Sequence, residues 1–163
     1  MKKDVVAGLG EIGLPICKII SRNFPVYGYD TDKKLIPNNP KKFENYSVRF
    51  LHICIPYNKF FLPNVLKLNK RFLPESIVIH STIKPKTTQN LQKKLSIPII
   101  YSATRGVHKR MASDLKRYIK FFALDNKIKN SALMSKTYVN LMKKCGIKTK
   151  KMKVEELHFC YLR

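Results

Sequence analysis

Three glycines at fixed spacing constrain this chain more than any other feature. Gly8-Leu9-Gly10-Glu11-Ile12-Gly13 follows the apolar run Val5-Val6-Ala7, and Asp30 closes a second apolar run, Pro25-Val26-Tyr27-Gly28-Tyr29. A glycine triad between a strand and a helix, with an acid about 20 residues further on, is the signature of a dinucleotide-binding βαβ unit. Each glycine has its own task. Gly8 allows a tight turn, Gly10 lets a pyrophosphate approach the backbone, and Gly13 lets helix and strand pack closely. Beyond them, with Glu11 and Ile12 in the turn, the helix start offers unpaired N–H groups and partial positive charge to phosphates. Asp30 is placed to accept hydrogen bonds from the adenosine ribose, and its charge repels a 2′-phosphate, so NAD is favoured over NADP. The competing reading is a glycine-rich turn that binds nothing.

The rest of the chain alternates in the same way. Strands are expected over 4–8, 25–29, 51–55, 76–80, 97–101 and 118–124, with a further short one near 147–154. Helices are expected over 11–22, 60–71, 87–95 and 126–145, with a helical tail over 155–163. Pro15 falls in the first helix turn, where proline is tolerated. Pro37-Asn38-Asn39-Pro40 marks a loop, and Gly146 is placed to end the long helix in the left-handed conformation. Alternating strands and helices imply an α/β fold: a doubly wound, mostly parallel, Rossmann-type sheet in three α/β/α layers. Its ligand loops lie at the carboxyl ends of the strands. At 163 residues the chain reads as one domain over 1–163, its tail from 155 being either a dimerising helix or the start of a longer one.

Composition excludes several classes. Hydrophobic residues make up 44%, which argues against wholesale disorder, and no apolar run is long enough to span a membrane. Asp4 and the glycines break the only stretch that resembles a signal peptide, so export is not expected and a cytoplasmic location is. Cys17, Cys54, Cys145 and Cys160 are scattered in apolar settings with no CxxC, which reads as free thiols in a reducing compartment. His52, His80, His108 and His158 show no metal-ligand spacing with them, so no metal is expected. Lys and Arg total 33 against 10 acids, a net charge of +23. Such a field attracts polyanions: nucleic acid held non-specifically, a nucleotide sugar, or an acidic partner. The lysines are spread along the whole chain, densest over 148–153, and biased codon usage explains such a spread equally well.

Several segments together resemble the UDP-glucose/GDP-mannose dehydrogenase family, whose N-terminal NAD-binding domain belongs to the 6-phosphogluconate dehydrogenase-like Rossmann group. Gly8-Leu9-Gly10-Glu11-Ile12-Gly13-Leu14-Pro15 is similar to its opening motif. His52-Ile53-Cys54-Ile55-Pro56 resembles its third-strand end, where a proline-containing loop passes the cofactor. Ser81-Thr82-Ile83-Lys84-Pro85-Lys86-Thr87-Thr88 resembles its Ser-Thr-Val-Pro-Pro-Gly-Thr-Thr segment, with Lys84 and Lys86 in place of a Pro and the Gly. The likeness spans roughly residues 4–125. It implies NAD as cofactor, with Ile55, Pro56, Ser81 and Thr82 joining Gly8, Gly10, Glu11, Ile12, Gly13 and Asp30 in holding it. It implies an NAD-dependent oxidation of a CH–OH group on a nucleotide sugar, completed by a cysteine and a lysine from beyond the first domain. None of the four cysteines matches that position, and the family's Pro-Glu-Phe segment is replaced by Ser102-Ala103-Thr104-Arg105-Gly106-Val107-His108. The chain is therefore expected to lack the catalytic second half, which a homodimer or a separate catalytic domain would have to supply.

The remaining polar residues leave alternatives open. Thr82 at a strand's carboxyl end suits a hydroxyl beside the nicotinamide, or a cap or turn residue. Arg105 and Arg110 suit forked bonds to phosphate or carboxylate, and His108 a proton carrier or an ordinary loop histidine. Catalytic candidates are thus Thr82 and His108, and substrate candidates are Arg105, His108 and Arg110. Two other functions compete with the dehydrogenase domain: a non-catalytic dinucleotide or nucleotide-sugar binding module, and a basic Rossmann protein associated with nucleic acid.

Overall fold

The computed structural model of the chain describes residues 2–36, 46–106, 108–154 and 156–157, with position 108 through its backbone alone. β1 (Lys2–Ala7), β2 (Val26–Tyr29), β3 (Ser47–Ile53), β4 (Ser76–Ile79) and β5 (Ile99–Tyr101) form one parallel sheet in the order β2-β1-β3-β4-β5. β6 (Lys120–Phe122) and β7 (Thr149–Lys151) form a second, parallel pair. That pair joins the main sheet through an antiparallel bridge, in which Tyr101 and Ala123 exchange backbone bonds of 2.8 and 2.9 Å.

Alternation along the strands builds two cores. Val6, Phe50, Val78 and Ile100 face one side with Phe122, and meet α1 (Gly13–Ser21), α4 (Met111–Arg117) and α5 (Ser131–Lys144) through Ile16, Ile20, Leu115, Tyr138 and Leu141. Val5, Ala7, Leu51, Ile53, Ile77 and Ile79 face the other side. They meet α2 (Phe61–Phe72) and α3 (Thr87–Gln92) through Phe61, Val65 and Leu91. A sheet covered on both faces needs strands that are apolar on both faces, and β4, buried at every residue, is the plainest case. The fold is a Rossmann-type, three-layer α/β/α domain.

Most element positions follow the sequence reading; α4 (Met111–Arg117) has no counterpart in it, and the other shifts have local causes. β3 begins at Ser47, earlier than the apolar run suggested, because Arg49 within it is neutralised. Its guanidinium makes two bonds, 3.0 and 2.7 Å, to the fully buried carboxylate of Asp4, which also accepts from Phe50 N at 3.2 Å. The long helix starts at Ser131 because the preceding turn is held by side chains. Asp125 accepts from Lys127 N at 2.9 Å, and Ser131 Oγ donates to Asn126 O at 3.0 Å. Gly146 ends this region at φ +74°, as a left-handed terminator requires. The expected loop at 37–40 lies outside the described residues, as does most of the 155–163 tail; Leu157 is fully buried. Cys17 and Cys145 are buried free thiols and Cys54 is half-buried; Cys160 lies outside the described residues. Among the described residues no helix is long and apolar enough to cross a membrane, and no group of three or more His, Cys, Asp or Glu side chains is arranged to hold a metal.

Candidate dinucleotide cleft

The order in which strands are added reverses at β1, whose two neighbours lead to opposite edges. At such a switch point the loops after adjacent strands diverge and leave a crevice. Here the crevice opens over the glycine turn. Gly8 takes φ +90° and donates to Tyr29 O at 2.9 Å. A Cβ there would stand 2.8 Å from the carbonyl oxygen of Cys54, so β3 presses the turn from beneath. A Cβ on Gly13 would collide with the carbonyl oxygen of Gly8. A Cβ on Gly10 would meet nothing within 4 Å, so the backbone there is open to the crevice. α1 starts from Ile12 with no side-chain cap and no acid in its first turn. An uncapped helix start of this kind leaves N–H donors and the positive end of the dipole facing outward.

Asp30 closes the turn from β2. Its Oδ2 accepts from Leu9 N at 2.7 Å and its Oδ1 from Asp32 N at 2.9 Å. A carboxylate offers about four lone-pair sites, so both oxygens keep acceptor capacity toward the crevice. The cleft occupies about 690 Å³. It is lined by Gly8, Gly10, Glu11, Ile12, Asp30, Ile55, Pro56, Ser81 and Thr82, with Gly13 packed beneath. Ser81 Oγ donates to Ile55 O at 2.6 Å and so ties the loops after β3 and β4 together. Lys86 occupies the N-cap position of α3 with no side-chain cap bond, and Thr82, four residues earlier, stands exposed on the cleft wall. Lys86 itself takes the left-handed φ of 68° at the position where the resembling segment has Gly.

The cleft also contains residues that sequence reasoning missed. Asn64, Lys67, Leu68 and Arg71 project from α2, with Tyr29 and Tyr57 between the walls. The Arg71 guanidinium lies 5.1 Å from the centre of the Tyr29 ring. The i, i+4 repeat of Lys67 and Arg71 was the available signal. Arg105 and Arg110 are exposed and line no part of this cleft. The backbone of His108–Arg110 forms a 3-10 turn before α4.

Beneath the floor lies a buried polar strip. His52 Nδ1 meets His80 Nε2 at 2.9 Å. Lys120 Nζ donates to Ser102 O and Thr104 Oγ1, each at 2.8 Å, and to Ala103 O at 3.2 Å. Tyr138 OH donates to Ser102 Oγ at 2.9 Å. Burial holds His52 down at about 4 and Lys120 down at about 7, and lowers His80 well below its ordinary value, Lys120 adding to that. Burial also pushes the Cys54 thiol up to about 12, so the cysteine in this cleft wall is a poor nucleophile.

Solved structures with this fold include a UDP-D-ManNAc dehydrogenase from Pyrococcus horikoshii (17% identity, TM-score 0.72, 94% of this chain, 46% of that one). A UDP-glucose dehydrogenase from Pyrobaculum islandicum matches at 12% identity and TM-score 0.74, over 98% of this chain and 48% of that one. The prephenate dehydrogenase of Aquifex aeolicus, solved with hydroxyphenyl propionate and NAD+, matches at 18% identity and TM-score 0.64, over 97% of this chain and 62% of that one. The shared feature is the fold. This chain spans about half the length of the UDP-sugar dehydrogenases. No family model matches the sequence, and no curated protein does.

Proposed function

We propose that this chain is an NAD-binding domain of the nucleotide-sugar dehydrogenase type. The supporting observation is the union, in one cleft, of the open backbone at Gly10, the uncapped start of α1 and the carboxylate of Asp30. In this reading the pyrophosphate lies over Gly10, Glu11 and Ile12, where the helix start favours negative charge. Asp30 accepts the adenosine ribose hydroxyls, and the adenine end lies between β2 and α2. Ile55, Pro56, Ser81 and Thr82 would hold the nicotinamide half, the Thr82 hydroxyl offering it a hydrogen-bonding group. When bound, the coenzyme supplies the hydride acceptor. The chain's own residues would orient it, and the thiol and base needed for a full alcohol-to-acid oxidation would come from elsewhere, since burial raises the Cys54 thiol and makes it a poor nucleophile. Arg105 and Arg110 lie outside the cleft, between β5 and α4, so a role for either in holding a nucleotide sugar is a separate proposal from the coenzyme site.

Calorimetry and thermal shift with NAD, NADP, UDP-glucose and GDP-mannose test this. Specific binding raises the melting temperature as ligand is added. NAD is expected to bind more tightly than NADP, and the isolated chain to turn over neither sugar. Absence of any response to NAD would overturn the reading. Turnover of either sugar nucleotide by this chain alone would overturn the dependence on a second domain.

A further inference from the structure

The five α-helices carry no exposed carboxylate. Their one acid, Asp114, is buried, and among the described residues the exposed acids, Glu11, Asp32, Asp125 and Glu156, lie outside those five helices. Six exposed cations come together where three segments meet: residues 22–24, 116–119 and 143–148. Asn23 Nδ2 donates to Lys144 O at 3.2 Å, and Lys144 Nζ stands 5.7 Å from the centre of the Phe24 ring. Lys120 N donates to Lys148 O at 2.8 Å, and the backbone at Gly146 faces Lys116 Cε. Arg22, Lys116, Arg117, Lys143, Lys144 and Lys148 are all exposed here, and none of the three segments contains an acid. In their midst Tyr118 and Ile119 are 45% and 48% exposed, with the Arg117 guanidinium 5.6 Å from the Tyr118 ring centre.

Cations near helix C-termini complement the helix dipole, and that accounts for Arg22, Lys116, Arg117, Lys143 and Lys144. It does not account for Lys148, nor for an aromatic and a branched aliphatic side chain left in water among cations. An exposed ring beside a cluster of positive charge is the chemistry that takes a base by stacking and phosphates by charge. A bilayer would engage one flat face through deeper apolar anchors. Here the exposed apolar surface is one ring and one branched side chain, each about half exposed, which suits a flexible linear polyanion instead.

We propose that the patch of Arg22, Lys116, Arg117, Lys143, Lys144 and Lys148 binds single-stranded nucleic acid, independent of sequence, with a base stacked on Tyr118. Arg22 caps the end of α1 remote from the glycine turn, so this surface is separate from the dinucleotide cleft and stands whether or not that cleft binds NAD.

Fluorescence anisotropy on the full chain tests it, with a labelled oligothymidine of about 20 nucleotides titrated across a salt series. Tyr118→Ala is expected to weaken binding by about tenfold or more, and Tyr118→Phe to retain it. The pair Lys116→Gln/Arg117→Gln is expected to weaken binding and to flatten the logarithmic salt slope by about 1.4, at about 0.7 for each phosphate no longer neutralised. The charge-matched pair Lys93→Gln/Lys94→Gln on the opposite side is expected to change the slope by much less. Equal losses from the two pairs would reduce the effect to bulk charge and overturn the proposal. So would full affinity in Tyr118→Ala, or binding to phosphatidylserine vesicles without binding to the oligonucleotide.

Discussion

His52 and His80 share a single hydrogen bond, Nδ1 to Nε2 at 2.9 Å, with their rings stacked at 23° in the core between β3 and β4. Two neutral imidazoles in this contact are compatible, one donating and one accepting; two imidazoliums are not. Lys120 adds positive charge nearby, and Asp4, the carboxylate acting on His52, is already bound to Arg49. His52 is held at about 4 against an ordinary 6.5, so the unfolded chain takes up its proton first. The His52 contribution to stability is therefore undiminished above pH 6.5 and falls as the pH drops toward 4. For His52 alone the loss between pH 7.5 and pH 5 is about 2 kcal/mol. Urea midpoints at the two pH values measure it, and His52→Leu/His80→Leu should narrow the gap. An equal gap in the double variant would show that other groups set the acid sensitivity.

Lys120 has the same sign at higher pH. Burial lowers it from 10.5 to about 7, so between those values the unfolded state binds more protons and stability rises with pH. Replacing a buried cation by an apolar side chain of similar length is often neutral or stabilising. Lys120→Met is expected to remove part of the rise in stability between pH 7 and pH 9, where the parent chain gains. The comparison must be made as a slope, because the Met variant also leaves the carbonyls of Ser102 and Ala103 without their lysine donor. Parallel slopes in the two proteins would show that Lys120 is charged in the folded state.

The three glycines of the turn separate folding from binding. Gly13→Ala forces a Cβ onto the Gly8 carbonyl, and Gly8→Ala combines a φ of +90° with a backbone contact of 2.8 Å. Each is expected to cost about 2 kcal/mol or more, since neither neighbour is a flexible side chain. Gly10→Ala meets nothing, and its melting temperature should match the parent. The added methyl would nevertheless occupy the space above the turn, and NAD affinity should fall at least about tenfold, the effect of losing a close backbone–pyrophosphate approach. Calorimetry and thermal melts on the three variants decide it: a Gly10→Ala protein that binds NAD as the parent does would displace the pyrophosphate from this turn.

Much of this arrangement was legible from the sequence because it depends on local rules. A glycine triad, an acid after the next strand and apolar runs of strand length follow from neighbours in the chain, and the α/β order came from them. What escaped depended on partners far apart in sequence. Arg49 belongs inside β3 only because Asp4, 45 residues away, takes its charge. Lys120 reads as an ordinary polar position in an edge strand, and its burial depends on acceptors from the loop after β5. Lys67 and Arg71 look like the solvated face of a helix, and only the sheet order brings that face to the cleft. Tyr118 looks like a core residue by type, and only packing left it outside.

Asp30 carries two duties, and two substitutions divide them. As an acceptor it holds Leu9 N at 2.7 Å and Asp32 N at 2.9 Å; as a charge it opposes a phosphate on the adenosine ribose. Asp30→Ala removes both, and leaving those donors without an acceptor costs about 1–3 kcal/mol, less where water reaches them. Its melting temperature and its NAD affinity should fall together. Asp30→Asn removes the charge and keeps one side-chain oxygen, enough for one of the two backbone donors while its amide nitrogen faces the other, so its melting temperature should lie between those of the parent and Asp30→Ala. Its NAD affinity should drop while its NADP affinity rises, narrowing the preference by about tenfold or more, the equivalent of about 1.4 kcal/mol. Thermal melts with matched NAD and NADP titrations read both duties at once. An Asn variant with an unchanged coenzyme ratio would confine Asp30 to holding the turn, and the choice between coenzymes would then pass to Lys67 and Arg71 on the facing wall.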